Sequence, residues 1–191
     1  MNKFITIVSG LPRSGTSMMM KMLEYGGMPI VTDSLREADI DNPLGYYEFE
    51  KVKKIKEDAT WLKDTRGKVF KMISMLLFDL PYGETYNIIF MERELEEVLR
   101  SQKKMLERKN IESDTDDIIM ANLFNAHLKK IHAWLETQEN INVLSVNYNS
   151  LIVAPEAEIN TIINFLGEPL DAEKMIQVIN PTLYRNRVAK K

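Results

Sequence analysis

No cysteine occurs in the chain, which excludes disulfide bridges, thiolate nucleophiles and cysteine-ligated metals at the outset. Histidine is nearly as scarce, with two residues, so a zinc site built from imidazoles is disfavoured. Neither charge is in large excess: 25 Lys and Arg stand against 28 Asp and Glu, a net charge of -3. No global basic field draws the chain to nucleic acid or to an anionic membrane, and any anion site has to be local. No run approaches the roughly 20 apolar residues of a membrane span, and the opening MNKFITIVSG lacks the apolar stretch of a signal peptide. The expected location is therefore the cytoplasm. What remains is a chain of 191 residues, 45% hydrophobic and 28% charged, the balance of one folded domain expected to span residues 1–191. Methionine is plentiful at 12, and the bunched Met18, Met19, Met20, Met22 and Met28 read as adaptable core filling.

Phe4 to Ser9 (FITIVS) is short, β-branched and continuously apolar, which suits a strand buried on both faces of a parallel sheet. A Gly-rich turn follows, then helical spacing from Gly15 to Tyr25 that Gly26 and Gly27 stop. Met28 to Thr32 reads as a short strand and Asp33 to Tyr47 as a long loop with turn formers at Asn42-Pro43 and Gly45. Glu48 to Leu62 is expected to be helical on the stripe Val52, Ile55 and Ala59. Lys68 to Ile73, Tyr86 to Met91 and Asn142 to Val146 are further strand candidates. Helices are expected over Glu94 to Lys109, with acids first and bases last as the helix dipole favours, and from about Thr115 to Gln138. Pro155 and Gly167 bracket one more helix. Strands alternating with helices predict an α/β fold: a single three-layer unit with a mostly parallel sheet of about four to five strands, P-loop NTPase-like topology and flanking helices.

Gly10-Leu11-Pro12-Arg13-Ser14-Gly15-Thr16-Ser17 lies between the first strand and the first helix. In that context glycines let backbone N–H groups close around a phosphate at a helix N-terminus. The nucleoside-triphosphate version of such a loop has a Lys after its second glycine; here Thr16 occupies that place and the cation comes earlier, at Arg13. This is poor equipment for ATP hydrolysis.

PRSGTS after a first strand resembles the 5′-phosphosulfate loop of the sulfotransferases, which use 3′-phosphoadenosine 5′-phosphosulfate. YNIIFMERELEEVLRSQ resembles the family's 3′-phosphate segment, in which a strand ends in an Arg and a Ser follows on the next helix; Arg93 and Ser101 match them. DNPLGYYE resembles an NPxGxxE stretch of bacterial members, KVFKMI the strand carrying a sulfate-facing Lys, here Lys71, and VLSVNYNSLIVAPEAEINTIINFLGEPLD the late strand, turn and helix. The resemblance implies a donor site built from Pro12, Arg13, Ser14, Gly15, Thr16, Ser17, Arg93 and Ser101. There are departures. Ile73 stands where the cytosolic branch has its catalytic His, and that branch's RKG loop is missing. Arg185, with Arg187, is a candidate to substitute for it, the alternative being a frayed basic tail.

Sulfuryl transfer to a hydroxyl or amine resembles phosphoryl transfer, so positioning and positive charge dominate, and Arg13 and Lys71 would supply that charge. The resemblance implies no metal. Glu48, which ends NPLGYYE, is the expected general base; Asp33, Glu37 and Glu50 lie in the same region, and Glu48 reads equally as a helix N-terminal acid. His127 and His132 fall beside the apolar stripe of their helix and read as packing or surface groups. The expected partners are the nucleotide sulfate donor and an unidentified hydroxyl or amine acceptor, with no nucleic acid and no membrane span. Two other readings stay open: a Mg²⁺-dependent P-loop kinase or NTPase with Glu92 as its acid, and a nucleotide-binding protein without catalysis.

Overall fold

The computed structural model describes residues 4–33, 39, 42, 45–111 and 116–180. The chain begins with strand β1 (Phe4–Gly10) and helix α1 (Thr16–Tyr25), passes through an irregular stretch, and enters β2 (Val69–Lys71). It continues through β3 (Thr85–Glu92), α2 (Leu95–Arg108), α3 (Asp117–Leu135) and β4 (Ile141–Asn147). Three helices close it: α4 (Tyr148–Val153), α5 (Pro155–Leu166) and α6 (Ala172–Gln177). The four strands form one all-parallel sheet in the order β2-β1-β3-β4.

Both central strands are buried on both faces, as their unbroken apolar runs predict. Alternation divides them between two cores. Val8 of β1 and Ile89 and Met91 of β3 face α1, α5 and α6. Ile5 and Ile7, with Tyr86, Ile88 and Phe90, face Trp61, Leu62, Leu77 and the C-terminal half of α3. The clustered methionines, Met18 to Met20, Met22 and Met28, are buried in the first of these cores. Helix α5 starts at Pro155 and ends at Gly167, whose φ of 64° is the left-handed conformation a helix terminus of this kind requires.

Three expected elements differ. Residues 48–62 do not form one α-helix: 3₁₀ turns cover Glu50–Lys54 and Thr60–Thr65. The cause is local competition for the backbone, because Asp58 Oδ1 accepts hydrogen bonds from both the amide and the hydroxyl of Thr60, and its carbonyl accepts one from the Trp61 indole. Met28 to Thr32 contributes a single parallel bridge, Ile30 to Val69; Pro29 lacks the N–H that a longer ladder would need. The long helix after α2 begins at Asp117, with the Asp116 side chain accepting from the Ile118 amide; Thr115 lies outside the described residues. On this helix Ile131 and Leu135 are buried, whereas Ile118, Ile119 and Leu123 are exposed on its first half. Among the described residues no helix is long and apolar enough to cross a membrane.

Candidate active site

Strand order decides where a site can form. β1 connects outward to β2 on one side, while its other neighbour, β3, continues to β4, so the crevice beyond the C-terminal ends of β1 and β3 is a topological switch point. The Gly-rich loop lies there, and every strand end contributes a candidate side chain. Arg13 follows β1, Lys71 ends β2, Arg93 follows β3 and Tyr148 follows β4.

The loop is shaped by two glycines that no other residue could replace without displacement. Gly10 has φ 147°, and a Cβ there would lie 2.5 Å from the Met91 carbonyl oxygen. Gly15 has φ 103°, and a Cβ would lie 2.4 Å from the Tyr148 ring. Between them Ser14, buried, turns inward, its amide and hydroxyl both donating to the Leu11 carbonyl. Arg13 takes a φ of 71°, a left-handed conformation that a non-glycine residue adopts at a cost of order 1 kcal/mol. Gly15 then opens α1, whose N-terminus has no side-chain cap and no acidic residue in its first turn. That end of the helix, with its free amide edge and positive dipole, suits an anion.

Arg13, Ser101 and Arg93 form a connected chain. Arg13 Nε donates to Ser101 Oγ at 2.9 Å, and Arg93 Nη1 donates to the Arg13 carbonyl at 3.2 Å. Arg93 also donates through Nε to Glu97 Oε2 at 3.0 Å, an ion pair with both side chains buried, and its guanidinium lies 4.4 Å from the centre of the Tyr148 ring. Asn149 Nδ2 donates to the same Glu97 oxygen at 3.2 Å. Arg93 and Ser101 are thus linked through Arg13. The sequence reading missed Glu97, Tyr148 and Asn149. The one available signal was the spacing of Arg93 and Glu97, one helical turn apart at the start of α2.

A cavity of about 440 Å³ opens beside this network. Pro12, Arg13, Thr16, Ser17, Lys71 and Glu48 lie on its polar side. Phe49, Val52, Met72, Ile73, Leu76 and Met105 form an apolar wall. Lys71 Nζ donates to the Tyr46 carbonyl, Tyr46 donates its hydroxyl to Asp39, and Asn42 Nδ2 donates to Ser17 Oγ, so the segment before Glu48 is fastened to the loop helix and to β2.

The four candidate carboxylates separate. Glu48 lines the cavity, with Lys53 Nζ 3.9 Å from its carboxylate. Asp33 accepts from the Glu50 amide, Glu50 pairs with Lys53 in the open, and neither lines the cavity. Glu37, like Arg185 and Arg187, lies outside the described residues. His127 Nε2 sits 2.8 Å from Ser74 Oγ, and burial lowers its pKa, with Lys130 and His132 adding to that effect. His132 faces Glu92 at 3.5 Å and stacks on Phe90. Neither histidine lines the cavity.

A sulfotransferase-domain family model matches residues 5–187. No curated protein sequence gives a significant match. Among solved structures, the sulfotransferase domain from the curacin biosynthetic pathway superposes with a TM-score of 0.56 at 15% identity, covering 93% of this chain and 78% of that one. The corresponding domain of the Synechococcus PCC 7002 olefin synthase gives 0.58 at 14% identity, covering 95% and 78%. A mouse sulfotransferase complexed with PAP gives 0.56 at 15% identity, covering 100% and 68%. These structural likenesses carry the fold, and the family model spans nearly the whole chain: it belongs to the sulfotransferase family and is a transferase of sulfuryl groups.

Proposed function

We propose that the chain transfers a sulfuryl group from 3′-phosphoadenosine 5′-phosphosulfate to a hydroxyl or amine, without a metal ion. The observation that carries this reading is a single cavity at the strand ends that gathers Arg13, Lys71 and Glu48 beside the uncapped N-terminus of α1. The residues present fit such a donor: the α1 amide edge and the loop Pro12 to Ser17 suit its 5′ anion, and Arg93 and Ser101 suit its 3′-phosphate. The mouse sulfotransferase among the structural neighbours is a complex with PAP, the desulfated form, which supports the choice of donor.

The donor supplies an activated sulfuryl group, whose bond to the 5′-phosphate oxygen breaks as the acceptor oxygen or nitrogen bonds to sulfur. The protein's part is positional and electrostatic. Glu48 takes the acceptor proton. Arg13 and Lys71 meet the negative charge that builds on the sulfuryl and leaving oxygens. Ser101 orients Arg13 through its Nε, and the Tyr46 carbonyl orients Lys71, so neither cation has to reorganise during transfer. Glu97 and the Tyr148 ring hold the Arg93 guanidinium in a fixed plane, the condition for fork-like recognition of a phosphate.

Interactions that strengthen during transfer act on rate more than on ground-state affinity. Arg13→Ala and Lys71→Ala are therefore expected to lower turnover by about 10² or more while weakening binding of the desulfated nucleotide by less than about tenfold. Steady-state transfer with an acceptor panel, alongside calorimetry with the product nucleotide, reads both quantities. Equal losses in rate and affinity would make the two cations ground-state binders, and no loss in either would remove them from the site.

A further inference from the structure

Tyr47, the residue before Glu48, has a φ of 51°, a left-handed conformation that is unfavourable for a bulky side chain. Its ring packs against the core on the α1 side of the sheet, and its hydroxyl donates to Glu24 Oε2, in the last turn of α1, at 2.6 Å. Burial raises the Tyr47 pKa and the Glu24 carboxylate raises it further, so the phenol remains a donor at neutral and alkaline pH. The chain then turns away from α1. Glu48 and Phe49 line the cavity, and the Glu48 carbonyl accepts from the Asp33 amide at 3.2 Å and from the Thr32 hydroxyl at 2.9 Å. Helix α1 therefore carries the Gly-rich loop at its N-terminus and holds the Glu48 segment from both of its ends, through Ser17 to Asn42 and through Glu24 to Tyr47.

A strained backbone conformation persists only where its surroundings over-determine it, and such residues cluster at functional sites. We infer that Tyr47 is a positioning residue for Glu48: its left-handed backbone turns the next carboxylate into the cavity, and its hydrogen bond to Glu24 keeps that backbone from relaxing. Tyr47 does not itself line the cavity, so it acts through Glu48 alone. Without the hydroxyl, the backbone is freed to return to a negative φ, and the carboxylate loses its aim at the acceptor proton. This rests on the sulfotransfer reading with Glu48 as the base.

The test uses the full chain, 3′-phosphoadenosine 5′-phosphosulfate and a panel of simple phenols, alcohols and amines. Tyr47→Phe removes the hydroxyl alone and is expected to lower kcat about tenfold, the scale of one hydrogen bond to a charged group, while KM for the donor and affinity for the desulfated nucleotide stay within about twofold. Beside Glu48→Gln the same change is expected to lower kcat by less than about twofold more, because the side chain it aims no longer takes a proton. Tyr47→Gly, which adopts the left-handed φ freely, is expected to keep at least about threefold more turnover than Tyr47→Ala, the reverse of what lost packing would give. A tenfold loss that persists beside Glu48→Gln, a rise in donor KM that matches the fall in kcat, or an alanine variant as active as the glycine variant overturns the assignment. Crystal structures of the wild type and Tyr47→Ala read the same claim without an acceptor: the Glu48 carboxylate is expected in the cavity in the first and out of it in the second, and an undisplaced carboxylate overturns the assignment. A wild type that does not bind the nucleotide contradicts the sulfotransfer reading itself, whereas nucleotide binding with an undisplaced Glu48 removes the Tyr47 assignment alone.

Discussion

Glu97→Ala is expected to destabilise the chain by about 3 to 5 kcal/mol, because it leaves the Arg93 guanidinium charged and buried with its main counter-ion gone. The pair is largely buried. Glu97 is 1% exposed and the Arg93 side chain 8%, and the second donor to Glu97 Oε2, Asn149, loses its acceptor as well. Removing both charges with groups of similar volume, Arg93→Met with Glu97→Leu, is expected to restore most of the stability, since a buried pair contributes little net free energy even when breaking it costs much. The double variant should nevertheless lose affinity for the 3′-phosphorylated nucleotide. Urea unfolding midpoints and calorimetry on the single and double variants separate the two effects. A loss below about 1 kcal/mol for Glu97→Ala would mean that solvent reaches Arg93 and that its orientation is not held by Glu97.

Glu48→Gln is expected to lower turnover by roughly 10² to 10⁴, the contribution of one positioned base, while nucleotide affinity stays within about twofold. Asp33→Asn and Glu50→Gln should each change turnover by less than about threefold, since Asp33 accepts from a backbone amide, Glu50 pairs with Lys53, and neither carboxylate lines the cavity. The amide of glutamine keeps the size and much of the hydrogen bonding of the carboxylate, so a rate loss confined to this variant reports proton transfer and not packing. Retention of more than about a third of wild-type turnover would pass the base role to another group.

The elements that position the site were legible where burial is two-sided and continuous. FITIVS and YNIIFM have no polar face to offer solvent, so they could only be inner strands, and the glycines between β1 and α1 could only form a tight loop. The punctuation of α5 by Pro155 and Gly167 was equally direct. Residues 48–62 misled because Val52, Ile55 and Ala59 have helical spacing, while Asp58 takes local hydrogen bonds that a continuous helix would forbid. The short helices α4 and α6, six residues each, are below the length at which periodicity speaks. Within the candidate site, Arg13, Lys71, Arg93 and Ser101 were named from loop spacing and family resemblance. What joins them was not. Tyr148 reaches Arg93, and Asn149 reaches Glu97, because β3 and β4 pair in register, with Glu92 opposite Asn147, which brings the chain after one strand against the chain after the other. The fastening of Lys71 to the Tyr46 carbonyl is likewise a product of the folded segment before Glu48, and no residue type announces a carbonyl partner.

The strand-end network is proposed to read a nucleotide with phosphates at both 3′ and 5′ positions. Titration calorimetry of the full chain with 3′-phosphoadenosine 5′-phosphate, adenosine 5′-phosphate and ATP, all in excess EDTA, tests it directly. Binding of the bisphosphate is expected to be at least tenfold tighter than that of either competitor, with the preference lost in Arg93→Ala. Equal affinity for the bisphosphate and adenosine 5′-phosphate, or binding of ATP that is tighter and appears only when Mg²⁺ is restored, would contradict it.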